Sequence, residues 1–264
     1  MLRTQAEAAS KEPPVTTQDA AIKIQVKHLT KRFGDLTVLE DINFVIKKGE
    51  LLAIVGPTGC GKTTFLNCLS KLMPATKGEI LIDGEAANPQ KHNISYVFQE
   101  PTCLPWRTVR ENVAYGMEIK GVNKEEREKR ASEIMDLVGL SSCADLYPNQ
   151  VSASMMQRIA VSRAFAVAPD LLLMDEPYGQ LDVKLRYYLE DELVNLWRTL
   201  GSTVLFVTHN IEEAVYIAER ILVLTAKPTS IKKEISIDLP RPRDLVDPKF
   251  VELRKAVTDL IRWW

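Results

Sequence analysis

No run of about 20 apolar residues occurs anywhere in this 264-residue chain, so the sequence contains no candidate for a membrane-spanning helix. Cysteine is scarce. The four present, at 60, 68, 103 and 143, show no C-x-x-C spacing, which argues against a zinc site or a disulfide framework and suits a reducing, cytoplasmic setting. An excess of one charge is also missing: 34 Lys and Arg stand against 35 Asp and Glu, for a net charge of −1. No global field therefore draws the chain to nucleic acid or to an anionic membrane. The first 21 residues are polar, carry Pro13-Pro14 and lack the hydrophobic centre of a signal peptide, so they read as a disordered leader. The charged cluster Lys124–Arg130 reads as a solvated helix face. The length is ample for a sizeable core, in one large domain or two small lobes.

What is present is concentrated at residues 56–64. Gly56, Pro57, Thr58, Gly59, Cys60, Gly61, Lys62, Thr63 and Thr64 match the phosphate-loop pattern G-x-x-x-x-G-K-S/T. The apolar run Leu51–Val55 before them predicts a buried strand. Phe65–Leu72 after them predicts a helix with Phe65, Leu66, Leu69 and Leu72 on one face. A strand, a glycine loop and a helix start aim successive backbone N–H groups and the positive end of a helix at one point, which suits a polyphosphate. Lys62 is placed to reach the β- and γ-phosphates, and the Thr63 hydroxyl to bind Mg²⁺. The chain thus reads as a binder of a nucleoside triphosphate. Cys60, close to a helix N-terminus, is expected either to favour its thiolate or simply to fill a variable slot.

Strand signals precede the loop at Ile22–Val26 and Ile42–Ile46, with Gly34-Asp35 as a turn between them, and follow it at Glu79–Ile82 and Ile94–Phe98. From about residue 101 to 168 the pattern is helical, with Ile134, Leu137 and Val138 at helical spacing and Gly139 as a stop. Strand character returns at Leu171–Met174 and Thr203–Val207, separated by a helix over about 183–200. Segments 221–224 and 231–237 read as final strands. The string Leu239-Pro-Arg-Pro-Arg243 breaks regular structure before a closing amphipathic helix, and no internal repeat is visible. The outline is an α/β nucleotide-binding core with a helical insertion.

Three further signals depend on the phosphate loop for their meaning. Leu171–Met174 runs into Asp175-Glu176; beside a phosphate loop, the first carboxylate holds Mg²⁺ and the second polarises an attacking water. Adjacent strand residues face opposite ways, but the backbone turns at a strand end, so both can reach one site. His209 follows the strand Val204–Val207, at the strand ends where ligands gather in such sheets. Gln99 follows Ile94–Phe98 and offers an amide to Mg²⁺ or to the water.

The phosphate loop, Gln99, Asp175-Glu176 and His209, in this order and spacing, resemble the ATPase subunit of an ABC transporter over residues 22 to about 240. The resemblance implies a phosphate-loop NTPase core with a mixed sheet, an antiparallel β subdomain and an α-helical subdomain inserted at about 101–168. Residues 241–264 would then form a C-terminal extension. It also implies roles: Phe33 stacking on adenine, Gln99 coupling the site to a membrane partner, Glu176 as catalytic base, His209 touching the γ-phosphate, and Asp182 in a dimer-contact loop. ATP and Mg²⁺ are the implied ligands. Permease subunits, a second cassette and, indirectly, a solute-binding protein are the implied partners, with the chain peripheral on the cytoplasmic face of the membrane and without nucleic acid. The strings Val97–Val109, Met174–Gly179, Thr203–His209 and Leu239–Arg243 are similar to importers for nitrate, sulfonate, taurine or bicarbonate.

The chain departs from that family at one place. A Leu-Ser-Gly-Gly-Gln signature, which grips the opposing subunit's γ-phosphate, is replaced by Val151-Ser152-Ala153-Ser154-Met155. Ser152 survives, to act in trans, and both glycines are gone. Side chains at 153 and 154 would cost about 1–3 kcal/mol if those positions were strained, although Ser152 or Ser154 could still cap the following helix. A slow but competent homodimer, a heterodimer with a sibling cassette, and a regulatory cassette that binds but barely hydrolyses ATP are all compatible with this string. A GTPase is disfavoured, because Asn123-Lys124-Glu125-Glu126 lacks the base-reading aspartate. A small-molecule kinase leaves the Asp-Glu pair and His209 unexplained. A soluble ABC ATPase of DNA repair or translation is the rival class, but the tandem cassettes or long coiled coil usual there are missing.

Overall fold

In the computed structural model, which describes residues 21–179 and 181–261, the strands assemble into two sheets. The expected leader, apart from Ala21, and the Trp263-Trp264 end lie outside the described residues. Strands β1 (Ile22–Phe33), β2 (Leu36–Lys47), β4 (Lys77–Ile82) and β5 (Glu85–Ala86) form an antiparallel sheet in the order β2-β1-β4-β5. Strands β3 (Leu51–Val55), β6 (Ile94–Val97), β7 (Leu171–Asp175), β8 (Thr203–Val207), β9 (Arg220–Leu224) and β10 (Ile231–Ser236) form the second, ordered β10-β9-β3-β8-β7-β6. All neighbours in it are parallel except β10, which runs antiparallel to β9.

The central strands of the second sheet are buried on both faces, as strands of parallel sheets are, which is why β3, Leu171–Met174 of β7 and Val204–Val207 of β8 are apolar runs rather than alternating. Leu52, Ile54, Leu171, Leu173, Leu205 and Val207 pack on one side with the antiparallel sheet and with α1 (Lys62–Leu69). Leu51, Ala53, Val55, Leu172, Met174, Val204 and Phe206 face the other side. That side is covered by helices α2 (Val109–Ile119), α3 (Lys124–Leu137), α4 (Ala153–Ala166), α5 (Val183–Leu200), α6 (Ile211–Ile217) and α7 (Pro248–Ile261).

The structure corrects several boundaries. The first two strands are longer than their apolar cores, because residues 27–33 and 36–41 continue the ladder to a hairpin turn at Gly34-Asp35. Helix α1 begins at Lys62, three residues earlier than its apolar face suggests, and stops at Leu69. Leu72 lies beyond it, 62% exposed, and is not part of the buried face. Helix α6 is too short to show a periodicity, yet Asn210 caps it by accepting from the Glu212 and Glu213 N–H groups. At its other end Arg243, buried in the Leu239–Arg243 string, donates to the Val215, Tyr216 and Ala218 carbonyls at 2.7, 3.0 and 2.6 Å. Two cations, with Arg241 donating to Tyr216 and Ile217, satisfy the carbonyls that a helix end leaves open.

A candidate nucleotide site at the sheet's carboxyl end

The phosphate loop joins β3 to α1, and its backbone could be made only with glycine. Gly61 sits at φ +114° as the N-cap of α1, and a Cβ there would lie 2.7 Å from Val38 Cγ1. At Gly56 a Cβ would meet Leu224 Cβ at 3.0 Å and Cys60 Sγ at 3.1 Å. The hairpin that ends in Phe33 is thereby pressed against the loop through Val38. Phe33 is 46% exposed, with the Lys31 ammonium 4.8 Å from its ring centroid. Cys60 is not an activated thiol: it is 2% exposed, and burial pushes its thiol up despite the nearby Lys62 charge.

Lys62 is buried, and its ammonium donates to the Gly56 and Pro57 carbonyls at 3.1 and 3.2 Å. From there Nζ stands 3.8 Å from Glu176 Oε1. Glu176 is the centre of the arrangement. Its Oε2 accepts from His209 Nδ1–H at 2.8 Å and from Gln99 Nε2 at 3.3 Å. Three strand ends, β6, β7 and β8, thus deliver Gln99, Glu176 and His209 to one carboxylate beside the phosphate loop.

Asp175 and Glu176 reach the same side because the chain turns between them. Glu176 has φ +47°, a left-handed conformation rare for a residue with a side chain, and its N–H donates to the Val207 carbonyl at 2.8 Å. Such strain, on the order of 1 kcal/mol, persists where the surroundings fix it and gathers at functional sites. Asp175 is 2% exposed, and its Oδ1 has no hydrogen-bond partner among the described residues. Burial raises its carboxyl above the ordinary range and the Glu176 charge adds to this, while the Thr63 hydroxyl and the Lys62 ammonium pull it down. A buried carboxylate oxygen left without a donor, next to a hydroxyl, is the donor set of a hard divalent cation such as Mg²⁺, which takes one or two protein oxygens and fills its shell from phosphate and water.

Two of the expected residues stand outside this cluster. The Asp182 carboxylate caps α5, accepting from Leu185 N at 3.0 Å. Ser152 caps α4, accepting from Met155 N at 3.3 Å, with the Ser154 hydroxyl 3.0 Å away. Ala153 and Ser154 are ordinary helical residues, absent from the left-handed positions, so the condition under which their side chains would be costly is not met. Arg186, Thr208 and Glu213, packed behind Asp182 and His209, went unread in the sequence. Only the Asn210 cap followed by Glu212-Glu213 hinted at a helix start there.

A glycine loop at a helix start, a buried lysine and paired carboxylates at the carboxyl end of a parallel sheet define a phosphate-loop nucleoside triphosphatase. Comparison with known proteins makes the assignment specific: residues 39–179 match the family model for ABC transporters, and the chain belongs to that family as an ATP-binding subunit, an ATPase. It is 41% identical over 245 residues to an uncharacterized ABC transporter ATP-binding protein of Methanocaldococcus jannaschii, covering 91% of this chain and 92% of that one. It is 40% identical over 231 residues to the aliphatic sulfonates import ATP-binding protein SsuB of Bacillus cereus, covering 88% and 91%. Among solved structures, a dimeric post-hydrolysis ATP-binding cassette bound to ADP and Pi superposes with a TM-score of 0.75 at 33% identity, covering 82% of this chain and 100% of that one.

Proposed function

We propose that this chain is the ATP-hydrolysing subunit of an importer for a small anion of the sulfonate, nitrate, taurine or bicarbonate type. One observation carries the hydrolytic part: Glu176 is held by His209 at 2.8 Å and Gln99 at 3.3 Å while standing 3.8 Å from Lys62. A carboxylate fixed by two neighbours and next to the phosphate-binding lysine is placed to take the proton of an attacking water. In this reading the loop N–H groups of residues 56–64 and Lys62 hold the phosphates, and Phe33 stacks on the base. Thr63, Asp175 and Gln99 hold Mg²⁺, which when bound offsets phosphate charge. His209 orients Glu176 and meets the γ-phosphate. Ser152 and Asp182 face a second cassette, so that each nucleotide lies between two chains.

Import is supported by the likeness to the sulfonate-import subunits. No helix among the described residues is long and apolar enough to cross a membrane, so the path for the solute belongs to a separate permease. Exposed Trp106, in the Gln99–Arg107 segment, is the contact we assign to that permease on the cytoplasmic face, and a solute-binding protein delivers the anion.

The test is steady-state ATP hydrolysis by the purified chain, with Glu176→Gln as its partner. The variant is expected to keep nucleotide affinity and to lose at least about 100-fold in turnover, the scale of a positioned general base. Undiminished turnover overturns the role of Glu176. Turnover that no reconstituted permease alters points to a cassette not coupled to transport.

A further inference from the structure

Behind the site, two turns with different tasks meet on one ion pair, buried at Glu213 and half-buried at Arg186. The first turn, 208–213, surrounds His209. Thr208, 1% exposed, donates through Oγ1 to Glu213 Oε2 at 2.6 Å, and Asn210 Nδ2 donates to Glu213 Oε1 at 3.3 Å. The Asn210 N–H returns to Thr208 Oγ1 at 2.9 Å. Both neighbours of His209 are therefore fixed to the one carboxylate of Glu213, itself 5% exposed.

The second turn, at Leu181 and Asp182, opens α5. Its Leu181 carbonyl accepts from Arg186 Nη2 at 3.3 Å, and the Asp182 carbonyl accepts from the Arg186 N–H at 2.9 Å. The same guanidinium places Nε 3.3 Å from Glu213 Oε1, a charge contact without hydrogen-bond geometry. One arginine thus touches the Asp182 turn with one nitrogen and the anchor of the His209 turn with another.

We propose that Arg186 and Glu213 are positioning residues, a tie that holds the His209 ring against Glu176 and makes its position depend on the turn that carries Asp182. The proposal rests on the roles assigned above to His209 and Asp182. It would let contact with a second cassette at Asp182 be felt at the hydrolytic centre without any movement of the core strands.

Two observations favour a tie over a packing contact. A buried ion pair can be replaced by apolar side chains at little cost or with a gain in stability, so it is a poor device for stability alone. Glu190, one helical turn beyond Arg186, is fully buried, and neither of its oxygens has a hydrogen-bond partner among the described residues. Burial, with the Glu213 charge adding, pushes its carboxyl up to about 9. It therefore stays neutral at pH 7. Burial also raises the Glu213 carboxyl, while the Thr208 hydroxyl and the Arg186 charge pull it down.

The experiment uses Arg186→Met and Glu213→Gln in the full chain, alone and combined with His209→Ala. The chain has three histidines, so the ring nitrogens of His28, His92 and His209 can be followed separately by NMR. Arg186→Met and Glu213→Gln alone are each expected to shift the His209 ring signals and leave those of His28 and His92 in place, which also reports that the fold is intact. Turnover should fall about tenfold at an ATP KM changed less than about twofold, the signature of an interaction made in the transition state. Adding either change to His209→Ala should lower the rate no further. His209 signals unmoved in both variants, or losses that multiply with His209→Ala, would overturn the tie. An unaltered chain without turnover would count against the functional reading, and the ring signals would still decide the tie.

Discussion

Helices α1 and α4 both begin at turns whose free N–H groups suit an anion, and the two turns are built on opposite terms. At α1 the N-cap is Gly61, at φ +114°, with no side-chain cap; the loop before it holds Gly59 at φ +75°. The phosphate loop has spent its side chains to bring backbone close to a ligand. At α4 the N-cap is Ser152, in extended conformation at φ −72°, and its own hydroxyl accepts from Met155 N. No residue from 151 to 155 is left-handed. A turn whose conformation demands glycine tolerates no drift in sequence, whereas one that any residue can adopt permits Ala153 and Ser154 where the family carries glycine. The loss of two glycines therefore says little about the fold of α4 and concerns only what the turn presents to its neighbour.

The largest effect is expected from Gly61→Ala. The new methyl would sit 2.7 Å from Val38 Cγ1 and 3.3 Å from Leu39 Cδ2, on a backbone that side chains rarely adopt. Val38 is 4% exposed and has little room to yield. We expect a destabilisation of about 2–4 kcal/mol, combining overpacking with backbone strain, and loss of measurable ATP binding. Thermal unfolding and a nucleotide titration check both. Unchanged affinity would mean that the loop's conformation is not what binds phosphate.

The same contrast explains what was legible in the sequence. Lys62, Thr63, Asp175, Glu176, Gln99 and His209 could be found because each follows a strand or opens a helix at the sheet's carboxyl end, and local pattern fixes that placement. The fully apolar runs of β3, β7 and β8 announced buried parallel strands. What stayed hidden depends on contacts between distant segments. Arg186 and Glu213 are ordinary helix residues in the sequence, and only packing of α5 on α6 makes them a pair. Arg241 and Arg243 read as loop residues after two prolines, yet they close the end of α6, some 25 residues away in the chain. Cys60 was legible as a loop residue but not as a buried one, because Leu224 and Thr229, from far along the chain, come to lie against its loop.

A smaller effect is expected from Ser152→Ala, which removes the side-chain cap of α4. Losing a serine N-cap costs about 1 kcal/mol. The corresponding position in α1 has no side-chain cap to lose, so the asymmetry between the two helix starts becomes measurable. Chemical denaturation should show a lower midpoint for Ser152→Ala at unchanged slope. A stability loss below about 0.3 kcal/mol would mean that the Met155 N–H is satisfied equally well by solvent.

The smallest expected effect is the most informative. Ala153→Gly with Ser154→Gly restores the residue types usual in the family, and the backbone here gains nothing from them. Each glycine placed in a helix costs about 0.5–1 kcal/mol, less in an exposed first turn, so the pair should lower stability by about 1 kcal/mol. If the capped turn serves the second nucleotide as it stands, turnover of the purified chain should stay within about threefold of the restored variant, since a threefold rate change is only about 0.65 kcal/mol of barrier. Turnover that appears only in the restored variant would show that the side chains of Ala153 and Ser154 obstruct the phosphate. The chain's own Lys62, Glu176 and His209 would then need the signature turn of a different cassette. In that case the difference between the two helix starts would be a division of labour between partners rather than a tolerance within one fold.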